Sequence, residues 1–327
     1  MSDWPDAGDS CRLKRALSFI NWLNLWVLTS WFNSRNWRHS RLAAGGLGAA
    51  TVLASAALLA SPPAQAQVRY SKPPPLSLRG ADLVDATTGI QLWSKDANVP
   101  RPMGSITKVM TALVVLEAGG LGREITVTEG AVSYVQRDGA SGAGLVAGDT
   151  LTARQLLEAM LLPSGCDAAY MLATAYGPGR FAFVQKMNAM AKLMGLTHTH
   201  FSWFDGMPYP TEHSTYSSPA DLIRIGERAM RYPLFRRIVA QRSFYLPATN
   251  LHHSYLWYTT DELLGNYPGA IGIKTGDTDA AGNCLLFETR RDGQTLIGVV
   301  LHANPSGDPS SAFPAAEQLL NWGFGQS

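Results

Sequence analysis

The sequence predicts an α/β protein in which an antiparallel sheet is built from both chain ends, with a helical subdomain between them. Three observations support this fold class. Early in the globular part, two short strands (81–85 and 90–94) flank turn residues, as in a β-hairpin. Apolar residues then recur at helical spacing, and after residue 270 the spacing becomes that of strands. Strands, then helices, then strands again is the order expected of a layered fold.

The remaining elements follow from local signals. A helix is expected over 105–118, because its apolar side chains have helical spacing and a Gly-Gly pair ends it. Ser218 and Pro219 predict the N-cap and first position of a helix that runs to about residue 231. We also expect helices over 151–162, 167–176, 181–194 and 313–324, and strands over 271–274, 284–289 and 295–302, the last two joined by a turn at Asp292-Gly293.

The first 66 residues have the pattern of a leader. A basic stretch (35–41) precedes an apolar run (42–60) and an Ala-Gln-Ala triplet, which together predict a secretory signal peptide cleaved at about 66/67. The alternative is a membrane span that stays attached. Further upstream, residues 16–32 form a second apolar segment, which we attribute to a start codon assigned too early; a second hydrophobic helix is the alternative.

This pattern predicts three regions: the leader 1–66, a Pro-rich lead-in 67–80, and one globular domain 81–327. The protein is therefore expected to be exported, and to be attached to a membrane only if the leader is retained.

Charge argues against a nucleic-acid partner. The formal net charge is +2, but residues 1–66 contain six basic and three acidic side chains, which leaves about −1 for the remainder. A near-neutral domain has no net basic field to attract nucleic acid.

Cysteine and histidine spacing predicts no metal site and no cofactor. Cys11, Cys166 and Cys284 fit neither a disulfide framework nor a zinc site, and Cys166 can pair with Cys284 only if the fold brings them together. The closely spaced histidines at 198, 200, 252 and 253 lack carboxylates at ligand spacing.

The first candidate catalytic cluster is Ser105-Ile106-Thr107-Lys108. Positions i and i+3 share a helix face, so the Lys108 amine can lie beside the Ser105 hydroxyl. A serine hydroxyl becomes a good nucleophile when a base removes its proton, and a lysine in an apolar setting can be that base. Backbone N–H groups at the helix start suit a developing oxyanion.

Two further clusters lie in loops or at a strand end. Ser164-Gly165-Cys166 lies between two predicted helices, and Lys274-Thr275-Gly276 ends a predicted strand. The Lys and Thr donors suit a substrate carboxylate, and glycine lets a substrate backbone approach closely. S-x-x-K, a Ser-containing loop and K-T-G together are typical of active-serine β-lactamases and penicillin-binding proteins.

The chain resembles the low-molecular-mass D-alanyl-D-alanine carboxypeptidases, serine peptidases of the penicillin-binding superfamily. The resemblance spans roughly residues 78–305 and includes WSKDANVPRPMGSITKVMTALVVLEAG, LLPSGCDAAYMLA, SSPADLIRIGERAMRYPLFRRIV and GIKTGDTDAAGNCLL. The motif intervals of 59 and 110 residues also suit this family. The resemblance implies a β-lactamase/transpeptidase-like fold. The family's C-terminal β-domain and anchor helix have no room after K-T-G, so we expect neither.

The resemblance also implies residue roles. Ser105 is expected to be acylated by the penultimate D-Ala carbonyl, with Lys108 as general base. Ser164 would relay a proton to the departing D-Ala. Backbone N–H groups of Ser105 and Asp277 would form the oxyanion hole.

Substrate recognition is implied in the same way. Lys274 and Thr275 would hold the terminal carboxylate of a peptidoglycan stem peptide that ends in D-Ala-D-Ala, and β-lactams would trap the acyl-enzyme. Cys166 occupies the position where the family usually has Asn, and a thiol is a weaker hydrogen-bonding group than an amide. The alternatives are a D,D-endopeptidase, a β-lactamase of the same fold, and a catalytically impaired wall-binding module. A β-lactamase would need an efficient deacylating base on a separate loop, and none stands out between Ser164 and Lys274.

Overall fold

Residues 71–303 and 312–326 are described by a computed structural model of the chain. The predicted leader 1–66 lies outside these residues, so the signal peptide and its cleavage stay predictions. Within the described ranges, no helix is long and apolar enough to cross a membrane.

The strands of the described region form one large sheet and two small ones. They are β1 (Gly80–Asp85), β2 (Ile90–Lys95), β3 (Glu124–Thr126), β4 (Thr150–Thr152), β5 (Ser243–Leu246), β6 (Tyr255–Tyr258), β7 (Ala270–Gly276), β8 (Asn283–Arg291) and β9 (Gln294–Ala303). The large sheet has the order β2-β1-β9-β8-β7, and all of its neighbours are antiparallel. The β1–β9 pairing joins the two chain ends, as predicted. The hairpin, the three later strands and the turn at Asp292-Gly293 are confirmed.

Eight helices occur in the described region. They are α1 (Thr107–Ala118), α2 (Glu129–Asp138), α3 (Ala153–Leu161), α4 (Cys166–Tyr176), α5 (Arg180–Leu193), α6 (Pro219–Met230), α7 (Pro233–Val239) and α8 (Ala312–Phe324). Ser218 caps α6 by accepting from the Asp221 N–H, with Pro219 at the first position, as predicted.

Successive residues of the central strands supply two cores on opposite faces of the sheet, because strand side chains alternate. Leu285 and Phe287 pack with α8, whereas Leu286 packs with the helical region that contains α1 and α6. Helix α1 is buried along nearly its whole length, which explains its lack of a polar face.

The predicted start of the helix 151–162 is wrong. Thr150–Thr152 is strand β4, which pairs with β3 through Ile125 and Leu151, and the helix begins at Ala153. Thr152 forms a capping box with Gln155, so a local start signal was present in the sequence. The strand was missed because its partner lies more than twenty residues upstream and three residues carry little periodicity.

Candidate active site

Ser105 and Lys108 lie at the start of the buried helix. Ser105 is in a 3₁₀ turn (Gly104–Ile106), and the α-helix itself begins only at Thr107. The Lys108 Nζ donates to Ser105 Oγ at 2.7 Å and to the Asp205 carbonyl oxygen at 3.0 Å. Lys108 is fully buried, and the two hydrogen bonds hold its amine against the serine hydroxyl. The pair thus has the geometry required of a nucleophile and its base.

Two glycines allow the backbone to close tightly around Ser105. Gly104 has φ +53°, and a Cβ there would lie 2.7 Å from the Asp277 backbone nitrogen. Gly206 has φ +92°, and a Cβ there would lie 2.0 Å from the Gly104 carbonyl oxygen. Positive φ and these close approaches both require glycine. The backbone after β7 is therefore brought next to the Ser105 turn, where the sequence predicts the Ser105 and Asp277 N–H groups to bind an oxyanion.

The loop between α3 and α4 carries Ser164 and Cys166. Ser164 has φ +63°, a conformation that a non-glycine residue rarely adopts. Its carbonyl oxygen accepts from Ser141 Oγ at 2.6 Å, and the Cys166 N–H donates to the Ser141 carbonyl oxygen at 2.8 Å. These bonds compensate for the strained backbone and fix the loop.

The Cys166 thiol is buried beside polar groups and has no contact with solvent. Its sulfur lies 3.6 Å from Ser141 Oγ and is fully buried. Burial raises the pKa of the Cys166 thiol to about 11, with Lys108 opposing the shift. Cys166 is therefore a neutral thiol near pH 7. Cys166 and Cys284 are both free and buried, so they do not form the disulfide that the sequence left open.

Lys274 on β7 is a buried lysine close to Lys108. Its Nζ donates to the Thr275 carbonyl oxygen at 3.2 Å and to Thr275 Oγ1 at 3.3 Å. Burial is the main cause that lowers the pKa of Lys274 to about 7, and the nearby Lys108 contributes to the same shift. Strand β7 packs on the Ser105 turn, since a Cβ on Gly276 would lie 3.2 Å from the Ile106 backbone nitrogen, so Lys274 and the Ser105–Lys108 pair belong to one site. Asp261 acts in the opposite direction and favours the charged lysine.

A loop that sequence reasoning missed supports Lys274 and Thr275. Thr260 Oγ1 lies 2.6 Å from Thr275 Oγ1. The neighbouring Asp261 is buried; one carboxylate oxygen accepts from the Leu263 N–H at 3.0 Å and the other has no hydrogen-bond partner. Burial raises the pKa of Asp261 to about 6, partly offset by Lys274. No motif marks these residues, since Thr-Asp is a common pair.

Gly276 is required by packing of the sheet against the nucleophile turn. A Cβ on Gly276 would lie 2.2 Å from the Met103 carbonyl oxygen. The glycine thus lets β7 approach the Ser105 turn, in addition to the close substrate approach that the sequence predicts for it.

A hydrogen-bond network that sequence reasoning also missed supports Lys108. Asp205 is buried, and its carboxylate accepts from Tyr134 OH at 2.8 Å and from the Met207 N–H at 3.0 Å. Tyr134 OH in turn accepts from Trp203 Nε1 at 3.0 Å. This network fixes the Asp205 carbonyl that holds Lys108. No cluster of three or more His, Cys, Asp or Glu suited to a metal ion occurs among residues 71–303 and 312–326.

The chain matches a known protein family over most of its length. The family model described as D-alanyl-D-alanine carboxypeptidase, peptidase S11, matches residues 67–305. The chain belongs to this family. The predicted family, fold class and enzymatic function are thereby confirmed: it is a serine-type D-Ala-D-Ala carboxypeptidase, a hydrolase.

Three relatives show how far the similarity extends. A D-alanyl-D-alanine carboxypeptidase of Streptomyces sp. strain K15 is 38% identical, over 84% of this chain and 97% of that protein. The D-alanyl-D-alanine carboxypeptidase DacB2 of Mycobacterium tuberculosis is 36% identical, over 74% and 80%. The crystal structure of the Streptomyces K15 DD-transpeptidase is 37% identical, with a TM-score of 0.73, and the match covers 78% of this chain and all of that one.

Proposed function

We propose that this protein is an exported carboxypeptidase that removes the terminal D-Ala from peptidoglycan stem peptides through an acyl-enzyme on Ser105. The observation that carries the proposal is the 2.7 Å hydrogen bond between Lys108 Nζ and Ser105 Oγ in a site that also contains a second buried lysine, Lys274. One lysine serves as base and the other as carboxylate receptor.

Acylation follows from this geometry. Ser105 Oγ attacks the carbonyl carbon of the penultimate D-Ala while its proton passes to the Lys108 amine. The negative charge on the carbonyl oxygen is met by the backbone N–H groups of Ser105 and Asp277. The C–N bond then breaks, and the proton passes through Ser164 to the amine of the departing D-Ala. Water hydrolyses the Ser105 ester and releases the shortened peptide.

Carboxylate binding explains why the substrate must have a free C-terminal carboxylate. A carboxylate next to protonated Lys274 relieves the cost of burying its charge, and Thr275, held by Thr260, offers a second donor. β-Lactams carry a carboxylate and a reactive amide in a similar arrangement, so we expect them to acylate Ser105 and to leave slowly. The globular domain 81–327 would perform this reaction after the leader 1–66 is removed.

The decisive experiment is labelling of the purified protein with a fluorescent penicillin, followed by intact-mass measurement. We expect one penicilloyl adduct on the parent protein, none on Ser105→Ala, and full labelling of Ser243→Ala, which changes an exposed serine on β5. A parent protein that takes up no label would overturn the enzyme proposal. Mass spectrometry of digested muropeptides then distinguishes loss of terminal D-Ala from cleavage of cross-links, which is the endopeptidase alternative.

A transpeptidase is the second candidate, because the similar Streptomyces K15 structure is described as a DD-transpeptidase. The acyl-enzyme would then react with an amine in place of water. Adding an acceptor peptide to the assay and measuring the ratio of transfer product to hydrolysed peptide decides between the two.

A further inference from the structure

An aromatic cavity lies beside the catalytic site and has no role in the reaction described above. Its volume is about 650 Å³. We call it the aromatic cavity; five rings line it, those of Tyr134, Tyr170, Phe181, Trp203 and Tyr209. The Trp203 and Tyr209 ring centroids are 4.3 Å apart, and those of Phe181 and Trp203 are 5.5 Å apart.

The outer rings of this cavity are exposed to solvent. Phe181 is 62% exposed and Tyr209 is 42% exposed. Both rings pack against Trp203, so the three rings form one continuous apolar surface. A contiguous aromatic surface at a concave, solvent-exposed site is typical of ligand binding, because rings that face solvent contribute little to the stability of the core.

Arg180 brings a positive charge to the aromatic cavity. Its guanidinium carbon lies 4.0 Å from the centroid of the Tyr170 ring. Across the described ranges, no carboxylate lies within ion-pair distance of Arg180, and its Nε is buried without a hydrogen-bond partner. Arg137, the other arginine of the lining, is already bonded to Asp138 at 2.7 Å and 2.9 Å. Arg180 is thus the cation that can receive an anionic group.

The aromatic cavity is separated from the catalytic lysine by one residue. Tyr134, on the cavity wall, donates to the Asp205 carboxylate at 2.8 Å, and the Asp205 carbonyl accepts from Lys108 at 3.0 Å. Met207 also lines the cavity and follows Gly206, which packs on the Ser105 turn. Residues 206–209 therefore run from the Ser105 turn to the cavity wall, which is a length of only a few extended residues.

We propose that the aromatic cavity binds the sugar-bearing, anionic part of the peptidoglycan substrate, which lies upstream of the bond that is cut. This inference depends on the proposed function for the identity of the polymer. The C–H faces of a sugar ring match aromatic surfaces, and its hydroxyls stay in water at the open side. A stem-peptide carboxylate matches the planar donors of Arg180.

The test compares two substrates that share the same D-Ala-D-Ala end. One is a disaccharide pentapeptide, and the other is a short N-acylated tripeptide that ends before the cavity. We expect Phe181→Ala and Arg180→Gln each to lower kcat/KM for the disaccharide pentapeptide about tenfold, and to change kcat/KM for the tripeptide by less than about twofold. Leu193→Ala, which removes an 88% exposed side chain at the other end of the same helix, is the matched control and should change neither.

Binding without catalysis separates this inference from the proposed function. A disaccharide tripeptide has the sugars and carboxylates but no bond to cut, and its Kd for Ser105→Ala can be measured by calorimetry. We expect Phe181→Ala in that background to weaken binding about tenfold. If both substrates lose kcat/KM equally, or if the disaccharide tripeptide binds parent and variant with the same Kd, the aromatic cavity is not a substrate subsite. If no substrate is hydrolysed at all, the proposed function is wrong. The calorimetric Kd alone then decides whether the aromatic cavity binds the disaccharide tripeptide.

Discussion

Asp261→Asn is expected to weaken substrate binding near neutral pH by making Lys274 easier to deprotonate. Burial, with a smaller contribution from Lys108, lowers the pKa of Lys274 to about 7, and Asp261 opposes this shift. The pKa of Asp261 is about 6, so this carboxylate is mostly charged at pH 7. Asparagine keeps the shape and the oxygen that accepts from Leu263, but it removes the charge.

The size of the effect follows from the charged fraction of Lys274. With a pKa of about 7, about half of the Lys274 amines are protonated at pH 7. If loss of the Asp261 charge lowers the pKa of Lys274 by about one unit, about one tenth of the amines are protonated at pH 7. Because protonated Lys274 binds the substrate carboxylate, KM should rise about fivefold at pH 7. At pH 5.5 the amine is mostly protonated in both proteins, so the two KM values should converge to within about 1.3-fold.

The assay is KM for a short peptide ending in D-Ala-D-Ala between pH 5.5 and 8. Glu262→Gln is the matched control, since it removes an exposed carboxylate one residue away whose charge is screened by water. Thermal unfolding of Asp261→Asn at pH 7 should give a Tm no lower than that of the parent, because the change removes a buried charge. An equal KM at pH 7, or a KM ratio that stays constant as the pH falls, would refute the reasoning.

Three further outcomes follow from packing and titration. Gly276→Ala should destabilise the fold by about 2–4 kcal/mol in urea unfolding, because its Cβ would lie 2.2 Å from the Met103 carbonyl oxygen. An unchanged free energy of unfolding would show that the Ser105 turn can move enough to accommodate the added methyl group. Burial raises the pKa of Glu158 from 4.5 to about 7. The native protein therefore binds more protons than the unfolded chain between these values, and stability falls as the pH rises through them. Glu158→Gln should accordingly raise Tm more at pH 8 than at pH 5, and an equal change at both would contradict this assignment. The thiols of Cys166 and Cys284 should resist iodoacetamide at pH 7.5 in the native protein and react after unfolding. The reason is that burial raises the pKa of Cys166 to about 11 and that of Cys284 to about 12. Alkylation can be followed by mass spectrometry, and rapid alkylation of the native protein would contradict this expectation.

Local sequence signals determined much of the fold and predicted the nucleophile. The Ser105–Lys108 spacing was sufficient to place the two side chains together, because residues three apart meet on one helical turn whatever surrounds them. The N-cap at Ser218 and the turn at Asp292-Gly293 were likewise readable, since caps and tight turns depend on one or two side chains. The family resemblance supplied the order of the three motifs.

Only the tertiary structure decided how the site is supported and charged. Asp205 lies 97 residues from Lys108, and Thr260 lies 15 residues from Thr275, so neither contact leaves a spacing that a sequence reader can detect. The shifted pKa of Lys274 arises from full burial near Lys108, and burial is a property of everything packed around a group. The sequence by itself predicted which residues react; the packed fold determined which charges they carry and what holds them.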